Sequence, residues 1–290
     1  MTTQGFAELT QRAQINRLRP VALAALRQYP LEVTSLRLLN HGFNTTFRVD
    51  TAGGGRFALR LNVNSRRRPE HLAAEAAWLA ALAADTDLWL PVPQRTREGA
   101  LTTQIFCPDL GRWLPAVLFA WLPGRDLGEG ATLDQMRAVG RATAALHEHG
   151  AQWQLPPGTA LPAIDTVLMD VPYHLGGDHP LLSTPDHDLI DAAFAQIQRQ
   201  LDALFANASR QPLHADLHLW NLKWHRGRLI VFDFDDSGIG VPAQDLAISA
   251  YYLRDNHAQE AALLDGYQSA RPLPAFTAAQ FEAMVASRNL

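Results

Sequence analysis

Strand-like runs of apolar residues dominate the first part of the chain and predict a β-sheet. The predicted strands lie at about 33–41, 44–50, 56–62, 101–107 and 116–121. Turn-forming residues at 50–55 separate the second and third runs, so this pair is predicted to be a β-hairpin.

Helical spacing of apolar residues predicts two helices within the same part of the chain. The first covers about 6–28 and is expected to be interrupted near Pro20, because proline lacks the N–H that a helix interior needs. The second begins at Pro69 and places Leu72, Leu79 and Leu82 on one face.

The remainder of the chain is predicted to be mainly helical. Thr132 and Gln135 form a predicted capping box at the start of one helix. The predicted helices lie at about 132–148, 185–206, 243–254, 257–269 and 276–288. A strand-rich region followed by a helical one predicts an α+β fold of two lobes, with an antiparallel N-lobe at 1–121 and a larger helical C-lobe at 122–290.

Composition narrows the class of protein. A hydrophobic content of 47% and a charged content of 19% are globular values, and a net charge of −4 argues against nucleic-acid binding. Cys107 is the only cysteine, which excludes a disulfide framework within the chain. No long apolar run or signal-like segment is present, so we expect a soluble cytoplasmic protein with no membrane partner.

Candidate chemistry is concentrated at 214–221 and in the strand-like run that follows at 229–233. Asp216, Asn221 and Asp233 occur in the order that phosphoryl-transfer enzymes use, and the spacing of the first two matches the kinase pattern H-R-D, four residues, N. In that chemistry the first Asp is the base for the acceptor hydroxyl, and the Asn and second Asp hold Mg²⁺. Each residue taken singly is also a common turn former.

These motifs resemble those of the aminoglycoside phosphotransferase and choline-kinase-like superfamily, which has a protein-kinase-like fold. The similar segments are 214–221, 233–236 and 242–247, and the resemblance extends over about 30–270. The sequence Asp-Phe-Asp-Asp at 233–236 most resembles that of bacterial homoserine-kinase-like enzymes and of a stress-response Ser/Thr kinase. The last predicted helix runs to Leu290 without a clear stop, so we expect the chain to lack a C-terminal segment that some relatives use to close the acceptor site.

The resemblance implies a role for each matching residue in the C-lobe. It makes Asp216 the catalytic base, and it makes Asn221 and Asp233 metal ligands, with Asp235 a further metal or acceptor-side candidate. Five further residues are predicted to be structural. His214 and His218 belong to the loop, and Asp245 is a helix N-cap or loop anchor. Trp220 and Trp224 are predicted to pack in the core, with a pocket floor as the alternative.

The resemblance also implies a nucleotide site in the N-lobe. Lys223 is the only lysine and lies beyond the catalytic loop, so Arg60 is the candidate cation for the phosphates and Glu75 its helix partner. Gly42, Asn44 and Thr45 are predicted to cover the phosphates, and Phe119 and Trp121 to form the hinge beside adenine. The alternatives are an exposed arginine and glutamate, an ordinary turn, and aromatic core residues.

The acceptor is less constrained by sequence. No lysine or arginine occurs between Arg141 and Arg199, whereas seven acids do: Glu148, Asp165, Asp170, Asp178, Asp186, Asp188 and Asp191. This charge pattern favours a cationic or amino-bearing acceptor, although a solvated acidic surface has the same composition.

The main hypothesis is an ATP- and Mg²⁺-dependent phosphotransferase, a kinase, that acts on a hydroxyl of a small molecule. A Ser/Thr protein kinase and a nucleotide-binding pseudokinase are the alternatives of the same fold. A metallohydrolase would instead use His214, His218 and His225 with the nearby aspartates. The sequence leaves open the acceptor, the choice of ATP or GTP, and the oligomeric state.

Overall fold

A computed structural model describes residues 5–169, 173–174, 179, 181–206 and 208–289 of the chain. The chain forms two compact units. The first consists of Met1–Ala84, Leu90–Pro123 and Leu155–Ala160. The second consists of Asp85–Trp89, Gly124–Gln154 and Leu161–Leu290.

The first unit contains a five-stranded antiparallel sheet with the strand order β1-β2-β3-β5-β4. Its strands are β1 (Val33–His41), β2 (Thr45–Thr51), β3 (Arg56–Leu61), β4 (Thr103–Cys107) and β5 (Arg112–Ala120). The predicted hairpin is confirmed as β2 and β3, with Thr46 opposite Arg60. Phe47 and Val49 alternate with more exposed residues and are fully buried, which fixes the register of the pair.

Two helices accompany this sheet, α1 (Gln11–Leu26) and α2 (Pro69–Asp85). The predicted interruption of the first helix at Pro20 is wrong, because α1 continues through this residue. A proline inside a helix costs about 3 kcal/mol or more through its missing N–H and its steric clash. Burial of Leu18, Val21 and Leu26 against the apolar face of the sheet offsets that cost.

The second unit is mainly helical. Its helices are α3 (Leu133–Gln152), α4 (Thr184–Phe205), α5 (Ala243–Tyr252), α6 (His257–Gln268) and α7 (Ala278–Ala286). Its short strands are β6 (Arg125–Asp126), β7 (Gln211–Leu213), β8 (Leu222–His225), β9 (Arg228–Val231) and β10 (Gly238–Gly240). They pair in the orders β6-β8-β9 and β10-β7. The predicted α+β fold class is confirmed.

Local capping determines where α3 begins. The Thr132 side chain accepts from the backbone N–H of Gln135, whose side chain accepts in return from the Thr132 N–H. Both donors would otherwise lack a helical partner, so the predicted capping box is confirmed. None of the helices within the described ranges has the length and apolar character that crossing a membrane requires.

Helices α3 and α6 approach so closely that their contact needs glycine. A Cβ added at Gly140 would lie 1.9 Å from the backbone oxygen of Leu263, and one added at Gly266 would lie 2.1 Å from that of Arg137. Each clash involves the backbone of the opposite helix, which cannot rotate away as a side chain can. The two glycines therefore set the helix separation.

We predict that Gly140→Ala and Gly266→Ala each lower the free energy of unfolding by about 2 kcal/mol, because the overpacking outweighs the better helix propensity of alanine. Urea denaturation measures the change. Gly130→Ala is the control, since nothing lies within 4 Å of its added Cβ, and we expect a change below about 0.5 kcal/mol. Unchanged stability in the two helix variants would contradict this account of the packing.

Candidate active site

The loop after β7 holds Asp216 through a strained backbone. Ala215, the preceding residue, has a φ of 63°, which is unfavourable for a residue with a Cβ. Two consecutive backbone amides fix this conformation by donating to Asp245: His214 N lies 3.2 Å from Oδ2 and Ala215 N lies 2.7 Å from Oδ1. The strain is therefore maintained by a carboxylate on α5.

Asp245 is fully buried and also contacts His147 of α3, whose Nε2 lies 3.0 Å from Asp245 Oδ2. The other ring nitrogen of His147 lies 2.9 Å from the hydroxyl of Tyr267 on α6. Burial by itself would raise the pKa of Asp245, but hydrogen bonds and nearby positive charge outweigh it and hold that pKa below its ordinary value. Of its two predicted roles the loop anchor is correct, whereas the N-cap of α5 is Pro242.

His214 joins the loop to the end of β9. Its Nε2 lies 3.0 Å from the carbonyl oxygen of Phe232, and its Nδ1 lies 3.3 Å from the backbone N of Asp216. The carbonyl requires a donor and the amide requires an acceptor, so these contacts fit the tautomer protonated on Nε2. The ring nitrogens are thus occupied in structural contacts, as the sequence predicted for this residue.

Phe232 also brings Asn221 to the same place. Its backbone N donates to the Asn221 carbonyl oxygen at 3.0 Å, which makes Asn221 a neighbour of Asp233 across the strand pair β8 and β9. The Asn221 side-chain nitrogen lies 2.9 Å from both the backbone oxygen and Oδ2 of Asp216. These two contacts direct the side-chain nitrogen of Asn221 toward Asp216, so the amide oxygen of Asn221 lies on the opposite side of the amide group.

Asp216 receives donors on both carboxylate oxygens. Besides Asn221, His218 Nε2 lies 3.3 Å from Oδ2, and Arg288 Nη2 lies 2.8 Å from Oδ1. Burial would raise the pKa of Asp216, but the hydrogen bond and charge of His218 and the guanidinium of Arg288 outweigh it and hold that pKa below its ordinary value. The carboxyl is therefore kept ionised, as a base must be.

Asp233 and Asp235 lie where β9 gives way to a short 3-10 turn, Phe234–Asp236. Asp233 is exposed and has a φ of 64°, which turns the chain so that the adjacent Phe234 is buried, with its ring centroid 4.4 Å from that of His214. Carboxylate and amide oxygens, as in Asp233 and Asn221, are the hard donors that Mg²⁺ prefers. Within the described ranges no three His, Cys, Asp or Glu side chains are grouped as a metal centre.

In the first unit Arg60 and Glu75 form a bidentate ion pair. Arg60 Nη1 lies 3.0 Å from Oε1 and Nη2 lies 2.5 Å from Oε2. Their side chains are only 8% and 5% exposed, so the alternative of two exposed residues is wrong. The guanidinium carbon lies 5.3 Å from the ring centroid of the buried Phe119, which adds a cation–π contact.

The predicted phosphate-covering turn between β1 and β2 is tied down at both ends. Asn64 Nδ2 donates to the Gly42 oxygen at 2.7 Å, and His41 Nδ1 lies 2.7 Å from Thr45 Oγ1. Gly42 is exposed and Asn44 half-buried, whereas Thr45 is fully buried. The Thr45 hydroxyl thus supports the turn, and the residue as a whole is buried between its strand neighbours.

The aromatic residues differ from the sequence expectation in one place. Trp220 is 48% exposed, so its predicted core role is wrong, while Trp224 is half-buried. Trp220, His218 and Tyr252 form a cluster beside Asp216, with ring centroids 4.7 Å to 6.1 Å apart. In the first unit the half-buried Trp121 lies 5.6 Å from the Arg48 guanidinium.

The acids of the predicted insert have local partners. Asp165 pairs with Arg210 at 2.8 Å, Asp186 caps the N-terminus of α4, and Asp191 accepts from Tyr173 at 3.0 Å. Glu148 lies 3.8 Å from Arg271, Asp188 is exposed, and Asp170 and Asp178 lie outside the described residues. Four of the described acids thus have partners within the chain, and Asp188 is a surface residue.

Three site residues were missed by sequence reasoning: His147, Tyr252 and Arg288. No local pattern marks them, because they lie on α3, on α5 and in the 3-10 turn after α7, and reach the loop only through the fold. Periodicity and sequence motifs depend on residues that are close along the chain. The hydrogen bonds of these three side chains join residues that are 36 to 98 positions apart.

The fold and this loop define a kinase-like phosphotransferase, and a match to a sequence family specifies the family. The sequence model of the phosphotransferase enzyme family (APH) matches residues 35–279. The chain therefore belongs to this family, within the aminoglycoside phosphotransferase and choline-kinase-like superfamily, and is an enzyme that transfers phosphoryl groups to hydroxyls. No curated protein gives a significant sequence match.

Solved structures agree in fold. A microcompartment-associated aminopropanol kinase is 28% identical, with 93% of this chain and 86% of that chain covered and a TM-score of 0.74. The amicoumacin kinase hAmiN, solved with AMP-PNP and Ca²⁺, is 18% identical, with 96% and 86% covered and a TM-score of 0.73. A choline/ethanolamine kinase family protein from Mesorhizobium loti is 17% identical, with 96% and 82% covered and a TM-score of 0.57.

We predict that Asp245→Asn lowers the free energy of unfolding by about 3 kcal/mol, because the amide cannot accept from all the donors that the buried carboxylate serves. The carboxylate has a lowered pKa, so its contribution is present above its ordinary pKa of about 3.9 and is lost as pH falls through the native value. Urea unfolding from pH 7 to pH 3 should therefore show a shallower acid loss in the variant.

Asp134→Asn is the control for this measurement. Asp134 is 94% exposed and pairs with Arg137 one turn away on α3. We expect a change below about 0.5 kcal/mol, as for most exposed pairs. Equal stability of the two variants would contradict the anchoring role of Asp245.

Proposed function

We propose that this enzyme is an ATP- and Mg²⁺-dependent kinase that phosphorylates the hydroxyl of a small amino alcohol. The observation that carries the proposal is the set of contacts around Phe232, which brings the base Asp216 beside Asn221 and Asp233. This is the order of base, amide ligand and carboxylate ligand that γ-phosphoryl transfer uses.

In the proposed reaction the acceptor hydroxyl donates its hydrogen bond to Asp216 and loses its proton there as the phosphoryl group arrives. Asn221 and His218 orient the carboxylate through Oδ2, so that its other oxygen is directed to the hydroxyl. Asn221 and Asp233 would hold Mg²⁺, with Asp235 as a further ligand or acceptor contact. Bound Mg²⁺ would neutralise the charge on the transferred phosphate.

We assign nucleotide binding to the lobe at 1–121. Arg60 would supply positive charge to the phosphates while Glu75 holds its guanidinium in place. The turn with Gly42, Asn44 and the backbone of Thr45 would cover the phosphates. Phe119 and Trp121 at the end of β5 would form the adenine hinge. The use of ATP fits a cytoplasmic location.

Two observations support an amino-bearing acceptor. The aminopropanol kinase is similar over 93% of this chain at 28% identity, and aminopropanol contains both an amino group and a hydroxyl. In this chain the Asp216 carboxylate lies beside the rings of His218, Trp220 and Tyr252. An ionised carboxylate and aromatic faces both attract an ammonium group.

We predict that Asp216→Asn lowers kcat for phosphate transfer by about 10²- to 10⁴-fold, the usual contribution of a general base, and leaves ATP binding unchanged. Transfer from ATP with Mg²⁺ is measured across aminopropanol, ethanolamine, choline, homoserine, aminoglycosides and a Ser/Thr protein. Propanediol, which has a hydroxyl in place of the amino group, tests whether the amino group matters.

Asp255→Asn, an exposed carboxylate of the same unit, is the matched control and should retain wild-type activity. Transfer only to the protein substrate would replace the small-molecule proposal with a protein kinase. Mg²⁺-dependent ATP binding without transfer to any acceptor would instead indicate a pseudokinase.

We predict that Arg60→Met raises the KM for ATP at least about tenfold, because it removes the phosphate contact, and that Arg60→Lys recovers most of the affinity as a single cation. Arg27→Met is the control, since Arg27 is an exposed arginine at the C-terminal end of α1. Thermal melting must accompany the assay, because the variant leaves Glu75 buried without its partner. An unchanged KM in folded Arg60→Met would exclude Arg60 from the nucleotide site.

A further inference from the structure

The two carboxylate oxygens of Asp216 accept from donors in different parts of the chain. Oδ2 is held by Asn221 and His218, which belong to the same loop. Oδ1 is held by Arg288, which lies 72 residues further along the chain in the 3-10 turn after α7. The loop orients the base, while a distant element covers the oxygen that the loop leaves open.

Arg288 lies at the distance from the base that the acceptor hydroxyl needs. A hydroxyl must approach a general base to within about 2.6–3.2 Å, and the Arg288 nitrogen lies 2.8 Å from Oδ1. A guanidinium stays protonated in proteins and accepts no hydrogen bond, so it cannot receive the phosphoryl group in place of the hydroxyl. Arg288 therefore blocks the base without being a substrate for it.

Contacts with Tyr252 hold Arg288 in this position. The same Arg288 nitrogen lies 3.3 Å from the Tyr252 hydroxyl, and the guanidinium carbon lies 5.9 Å from the ring centroid. Both side chains of the ion pair remain partly accessible, at 20% for Arg288 and 18% for Asp216. A partly hydrated pair of this kind is far easier to separate than a buried one.

The element that carries Arg288 can move without unpacking α7. The buried residues of α7, Ala283, Met284 and Val285, pack in the core cluster that contains residues of α4 and α5. Arg288 lies beyond this packed segment, on the 3-10 turn Ser287–Asn289. A single such turn has weak hydrogen-bond geometry, so its rearrangement costs little compared with the loss of α7.

We propose that Arg288 is an internal occupant of the acceptor position, which an acceptor must displace from Asp216 before it can be phosphorylated. This inference rests on the proposed kinase function and adds a regulation of its site. When ATP is bound without an acceptor, Arg288 keeps water away from the base and so suppresses wasteful hydrolysis. An amino alcohol can replace both contributions of Arg288 at Asp216 Oδ1, because its hydroxyl supplies the hydrogen bond and its ammonium supplies the positive charge.

The test compares wild type with Arg288→Ala and Arg288→Gln, of which the second keeps much of the side-chain length and favours folding. Arg254→Ala is the matched control, because Arg254 pairs with Glu282 of α7 and does not contact Asp216. We measure ATP hydrolysis without acceptor and the KM for aminopropanol and for the neutral propanediol. In both Arg288 variants we expect hydrolysis to rise roughly fivefold to tenfold and both KM values to fall by a similar factor, with the control unchanged.

Propanediol, the neutral acceptor, distinguishes displacement of Arg288 from other roles that a cation near the base could have. If Arg288 only repelled cationic substrates, KM would fall for aminopropanol alone and hydrolysis would stay at the wild-type rate, which would overturn the proposal. If Arg288 bound the acceptor, both KM values would rise, with the same consequence. If the variants hydrolyse ATP faster but transfer phosphate to no alcohol, the role of Arg288 stands and the amino-alcohol acceptor is rejected. Absence of any ATP turnover would overturn both the role of Arg288 and the proposed kinase function.

Discussion

The catalytic loop depends on one buried carboxylate. Asp245 accepts from the backbone amides of His214 and Ala215 and from the His147 side chain, all within 3.2 Å. Burying an ionised carboxylate is costly unless donors surround it, so the arrangement is stable only with every contact in place. That requirement keeps Ala215 in its strained conformation, and the strained backbone in turn determines where Asp216 lies.

The backbone of Phe232, together with the His214 side chain, joins two segments of the candidate site. The N–H of Phe232 donates to the Asn221 carbonyl, and the Phe232 carbonyl accepts from His214, so the backbone of the residue before Asp233 joins the loop to Asn221. Antiparallel pairing of β8 and β9 fixes the register of this junction. Changes of exposed side chains leave these backbone hydrogen bonds in place.

Two arginine–carboxylate pairs serve opposite purposes in the proposed enzyme. Arg60 and Glu75 are bonded by two nitrogens and are at most 8% exposed, so their relative geometry is well defined. Arg288 and Asp216 are bonded through one nitrogen and are about one-fifth exposed. Water competes for the second pair far more than for the first. In our proposal the first pair positions the nucleotide and the second yields to the acceptor.

The sequence by itself determined the fold class, most element positions and the identity of Asp216, Asn221 and Asp233 as candidates, because strands, caps and motifs are encoded by residues close along the chain. It failed at Pro20, where core burial overrides a local helix breaker, and at Trp220, whose exposure depends on what surrounds it. Only the tertiary structure revealed the contacts of His147, Tyr252 and Arg288 with this site, since they join elements that are far apart in sequence and have no local signal.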